Sequence, residues 1–232
     1  MSETLSQYSA LMVMEREYGR AKINKFLKHE LNRYLLGRAT EREKEQPLMY
    51  VENQQYIHYA KGSLVMYTLR EYLGEDVLNA ALAKYIKAVA YQAPPYTTSL
   101  EFVEILREAT PKKYAYLIED LFETITLYDN RAETAVATKT DGGWDVELTV
   151  KSTKFRADES GAEESIPLHD WVELGVLDAD GNFLYREKHL LDAEVLTVTL
   201  SVDEEPARAG VDPTVMLVDR NPDDNTVAVE LR

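Results

Sequence analysis

The hydrophobic period of this chain changes once, near Asp129-Asn130-Arg131, and that change limits the fold more than any other feature. Before it, apolar residues recur every three to four positions, as in amphipathic helices; after it they alternate, as in half-buried strands. A chain of 232 residues divided in this way predicts a multidomain α+β protein. An all-α helical domain is expected over residues 1–130, followed by an antiparallel, immunoglobulin-like β-sandwich over 131–232.

The helical part can be read in some detail. Leu5, Tyr8, Leu11 and Met12 mark a first helix, with Ser2 as its N-cap, Glu3 in its first turn and Gly19 at its end. Ile23, Phe26, Leu27, Leu31, Tyr34 and Leu35 share one face of a second helix, which runs from Arg20 to Leu36 and stops at Gly37. The charged stretch 38–46, followed by Pro47, reads as a surface loop. A third helix is expected from Tyr59 to Tyr72, and a fourth from Asp76 that Pro94-Pro95 forbids from continuing. Ser99 is expected to cap a fifth that stops at Thr110-Pro111, and a sixth runs from Tyr114 to Phe122.

In the second part, Asp145–Val150 and Trp171–Leu177 alternate cleanly, with hairpin turns at Asp141-Gly142-Gly143 and Asp178–Asn182. The Asp178 turn echoes the start of a calcium loop, but its twelfth position is His189 rather than glutamate, so a hairpin is the better reading. Further strands are expected at 183–189, 193–202, 206–211, 214–219 and 226–231, with a mobile polar loop at 156–166.

Composition narrows function mainly by exclusion. The net charge is −15, and residues 131–232 carry most of it, with 23 acids against 10 bases. Such a surface repels phosphate backbones and anionic lipid, which argues against nucleic acid. The arginines at 16, 20, 33, 38 and 42 alternate with acids and read as a solvated face. No apolar run approaches the roughly 18 residues of a membrane span, and no secretory signal pattern opens the chain. Cysteine is absent, which removes thiol chemistry and cysteine-held zinc. The four histidines, His29, His58, His169 and His189, form no His-x-x-x-His pair.

Two stretches carry chemistry. Ser2-Glu3-Thr4-Leu5-Ser6-Gln7-Tyr8 and the residues on to Glu15 resemble the third-ligand helix of the aminopeptidase N-like zinc peptidases, the gluzincins. Tyr59-Ala60-Lys61-Gly62 resembles their Tyr-x-Lys-Gly motif. Two later stretches, Asp120–Asp129 and Gly210–Asp212-Pro213 with Leu217–Asn225, extend the likeness nearly end to end. The whole resembles the C-terminal part of bacterial members whose peptidase domain is fused behind an ABC-type transporter permease.

That resemblance implies a zinc aminopeptidase parent in which zinc-activated water hydrolyses a peptide substrate. It implies Glu3 as the third zinc ligand and Tyr59 as the catalytic tyrosine, whose hydroxyl donates a hydrogen bond to the oxyanion. The two histidine ligands and the general base belong to a His-Glu-x-x-His helix, which is absent here and is expected before Met1. The chain alone is therefore expected to be inactive, with no zinc or other cofactor. In isolation Glu3 reads simply as an acid that favours a helix N-terminus. His58 reads as a pocket or core histidine rather than a ligand, and Lys61 and Gly62 as structural. The competing class is a non-enzymatic helical and β-sandwich interaction module attached to a membrane transporter.

Overall fold

The computed structural model describes residues 1–232, the Ala21 side chain excepted. The chain forms two compact units. One comprises Met1–Gly19, Lys25–Thr126 and Ala157–Glu163; the other comprises Arg20–Asn24, Leu127–Arg156 and Glu164–Arg232.

The first unit is helical: α1 (Ser2–Tyr18), α2 (Arg20–Thr40) from Lys25 onward, α3 (Gly62–Leu73), α4 (Glu75–Val89), α5 (Ser99–Ala109) and the single turn α6 (Tyr116–Ile118). Helix α3 is its centre, for every residue of it except Glu71 is buried. A helix buried on nearly every side needs neighbours on every side, and α1 and α4 both pack on it. Two π-helical turns, Tyr56–Lys61 and Glu119–Glu123, widen the helices they adjoin. Among the described residues, no helix is long and apolar enough to cross a membrane.

Several local expectations are corrected. Helix α2 runs through Gly37 to Thr40. A Cβ at Gly37 would fall 2.3 Å from the Tyr56 Cβ, so this glycine serves a close approach and not a helix stop. Ser2 lies inside α1 and its hydroxyl donates to the Glu3 carboxylate, while Ser99 lies inside α5 and donates to the Met49 carbonyl; neither is a cap. The arginine at 38 is mostly buried rather than solvated.

The second unit holds two sheets around one apolar core. In one sheet β3 (Glu163–Ile166), β2 (Gly143–Ala157), β1 (Ile125–Thr140) and β9 (Glu230–Leu231) follow in that order, and β6 (Val195–Val202) also pairs with β2. In the other the order is β5 (Phe183–Leu191), β4 (Asp170–Leu177), β7 (Arg208–Val211) and β8 (Thr226–Ala228). Val146, Leu148 and Val150 of β2 are fully buried, as are Val172, Leu174 and Val176 of β4. On β2 burial alternates and turns one face into the core, whereas on β4 the intervening Glu173 and Gly175 are buried as well.

The sandwich departs from the sequence reading in four places. Residues 125–140 form the longest strand, β1, which alternation had not revealed. The pair β1 and β9 is parallel, with Val136 opposite Glu230, so the first sheet is mixed. Residues 156–166 are an ordered hairpin, its turn held by the Asp158 carboxylate accepting from Ser160 N and Ala162 N. Residues 214–219 form a turn instead of a strand: Val215 has φ 57°, and the Asp212 carboxylate accepts from the amides of Met216 and Leu217. The Asp178 carboxylate likewise closes the β4–β5 hairpin through the amides of Asp180 and Asn182.

Candidate active site

Sequence distance separates Glu3 from Tyr59, but one contact in the helical unit joins their turns. The buried Thr4 hydroxyl donates to the His58 carbonyl at 2.7 Å. That approach is possible because the residue four positions later is Gly62. A Cβ there would lie 2.5 Å from Thr4 Oγ1 and 2.8 Å from its Cγ2. The π turn makes the same region wide enough, its closing bond running from Gly62 N to the Ile57 carbonyl. Such turns insert one residue into a helix and re-aim the side chains around them.

The result is a small polar cluster. The His58 ring meets the Tyr59 ring edge-on, with centroids 4.9 Å apart and planes at 73°. Burial pushes His58 below the ordinary histidine value, and the Glu3 carboxylate draws it partly back. The Glu3 carboxyl is held below its usual value, first by the Ser2 hydroxyl, then by its own backbone amide, with a smaller pull from His58. Tyr59 is half-buried, and its hydroxyl has no hydrogen-bond partner among the described residues. A phenol without a protein partner can donate to a ligand oxygen without first breaking a bond to the protein.

Behind the turn lies a set of charges that the sequence reading missed. Tyr34 OH donates to Glu45 Oε1, and Arg38 Nε donates to Glu45 Oε2 at 2.7 Å. Arg38 Nη1 reaches Glu163 at 3.1 Å. An open groove of about 280 Å³ is lined by Arg38, Glu45, Tyr56 and Glu159 among others. Lys61 is fully buried beneath the Tyr34 ring, 5.4 Å from its centroid. Its burial was legible in principle: Ile57, Lys61 and Val65 share one helical stripe, and the flanking members are apolar. Arg38 and Glu45 gave no such signal, because their pairing depends on how the loop after α2 returns.

The residues present do not by themselves fit a zinc site. Glu3 is one carboxylate, and no group of three or more His, Cys, Asp or Glu side chains that could hold a metal occurs among the described residues. His169 and His189 lie on or beside the strands of the other unit.

No family model matches the sequence, and no curated protein matches it. Among solved structures the same fold occurs within a larger aminopeptidase, so the architecture is aminopeptidase-like. That protein is the aminopeptidase A of Legionella pneumophila, solved in complex with aspartic acid. The two are 14% identical with a TM-score of 0.50, over 99% of this chain and 23% of that one. Likeness at this identity establishes the fold alone, and the present chain spans less than a quarter of that aminopeptidase.

Proposed function

We propose that this chain is the tyrosine-bearing part of a zinc aminopeptidase-like protein of the gluzincin class, of the bacterial type joined in cis to an ABC-type transporter permease. In this reading Tyr59 donates a hydrogen bond to the oxyanion that forms at the carbonyl of a peptide substrate. Glu3 is the third zinc ligand in the full-length parent only. The histidine ligands and general base belong to a His-Glu-x-x-His segment that this sequence does not contain, so the chain alone is inactive.

One observation carries the reading. The Thr4–His58 bond and the bare Cα of Gly62 bring the Glu3 turn against the Tyr59 turn, although 56 positions separate the two residues. A phenol suits the assigned role because it is neutral near pH 7 and moves on only two side-chain torsions. The unpartnered hydroxyl of the half-buried Tyr59 is consistent with the requirement that an oxyanion donor be free to reach its acceptor.

The test uses the longer parent chain against aminoacyl-anilides, with and without Tyr59→Phe. Loss of about 100-fold or more in kcat supports the role, since removal of one oxyanion donor costs that much; unchanged turnover refutes it. Metal analysis of the 232-residue chain gives a second check, in which stoichiometric zinc would contradict the proposed division of ligands. A parent with no hydrolytic activity at all would favour the interaction module.

A further inference from the structure

Lys61 stands in the same π turn as Tyr59 but on its other side. Residues two apart in a helical turn are separated by roughly half a turn. The turn therefore leaves Tyr59 partly accessible and sends Lys61 inward, where it is fully buried. Lys61 Nζ has no hydrogen-bond partner and lies over the Tyr34 ring. The charges that face it come from three elements: Arg38 on α2, Glu45 in the loop after it, and Asp120 in the second π turn. Tyr34 and Tyr56, which stack at 5.9 Å, close the same space. An amine buried without a hydrogen bond is costly, and an apolar side chain of similar length would avoid the cost. Burial accordingly pushes Lys61 from the ordinary value of 10.5 down to about 8, while Glu45 pulls it up and Arg38 pushes it down.

We propose that Lys61 is a positioning residue for Tyr59: its ammonium, drawn toward Glu45 and Asp120 beneath Tyr34, holds the back of the turn and fixes where the Tyr59 ring stands. The inference rests on Tyr59 being the working group of the site. With the proton gone, the pull on the two carboxylates goes too, and the turn relaxes around the Tyr59 ring. A methionine fills the space but exerts no such pull.

The test is made on the intact chain, with no metal and no turnover. Tyrosine is labelled with ¹³C, and the Tyr59 resonances are identified by their loss in Tyr59→Phe. They are then followed from about pH 6.5 to about 9.5, a range that also brackets an α-amino group. The expected result is a step in the Tyr59 ring shift with its midpoint near 8. That step is absent in Lys61→Met and in Lys61→Gln, whose circular dichroism matches the wild type. His58 and the N-terminal amine also face Glu3. A step that survives in the Lys61 variants belongs to one of them and overturns the proposal, as does a flat Tyr59 response in the wild type. Should both variants misfold, the Lys61 Cε resonance of the wild type decides: a midpoint shared with Tyr59 supports the coupling, and a different one defeats it. An inactive parent enzyme would sink the peptidase reading and leave this coupling unaffected.

Discussion

Gly62→Ala probes the contact on which the candidate site is built. The new Cβ would stand 2.5 Å from Thr4 Oγ1, 2.8 Å from Cγ2 and 3.0 Å from Cβ. Thr4 cannot swing away cheaply, because it is fully buried, branched at Cβ and bonded to the His58 carbonyl. Overpacking of this kind costs about 1–3 kcal/mol. If Thr4 withdraws, the His58 carbonyl loses a buried partner at a further cost of about 1–3 kcal/mol. Alanine's better helix propensity offsets at most about 1 kcal/mol. The expected net loss is therefore about 1–4 kcal/mol, measured by urea denaturation. Thr4→Ala separates the parts, since it removes both Oγ1 and Cγ2 and leaves only the 3.0 Å approach. The double variant should be no less stable than Thr4→Ala alone, giving a coupling as large as the Gly62→Ala loss itself, about 1–4 kcal/mol. Additive losses, or a Gly62→Ala protein as stable as the wild type, would refute the reasoning.

Other sites test other parts of the fold. Arg70 pairs with both Glu15 oxygens at 2.6 and 2.9 Å and with Glu71 at 3.3 Å, so Arg70→Met removes the buried cation these carboxylates share, although the Tyr67 hydroxyl still donates to Glu15, and should cost about 3–5 kcal/mol in a denaturant titration. Tyr59→Phe removes a hydroxyl that has no protein partner, and stability should stay within about 0.5 kcal/mol of wild type; a larger change would mean that the hydroxyl is structural. Asp219 is pushed up to about 6, chiefly by burial, against the amides of Asn221 and Asn130, which favour its charge. Its carboxyl ¹³C resonance should titrate there. Because the folded state holds the proton more tightly than the unfolded one, this group lowers stability as pH rises from its ordinary 3.8 toward 6. In Asp219→Asn that contribution to the pH dependence should disappear.

The helices with a strong periodic stripe were legible from residues alone, and so was the alternation of β2 and β4. Leu78 on α4, and Phe102 with Leu106 on α5, are buried where their spacing put them, whereas Ile86 of the same α4 stripe is exposed. Strand β1 was hidden because its alternation is blurred: Ala132, Ala135 and Ala137 supply its buried side with little hydrophobic contrast, and its opening residues 125–128 are all buried. The 214–219 segment failed in the opposite sense. Its apolar run Val215–Val218 looks like a strand, yet Asp212 captures the amides that a strand would offer to a neighbour. Gly37 shows the same limit in the helices, for a glycine that could end a helix was instead used to admit Tyr56.

At the candidate site, sequence by itself singled out Glu3 and Tyr59 through their resemblance to peptidase motifs and read Gly62 as structural, and local periodicity put Glu3 and Tyr59 near helix starts. It could not say that their turns touch, because a hydrogen bond across 54 positions leaves no trace in local spacing. Nor could it say that Lys61 would be sealed beneath Tyr34 without a partner, or that Arg38 would pair with Glu45. Periodicity reports which face of an element is apolar. Which element then covers that face, and which charges it shuts in, is decided only when the helices pack.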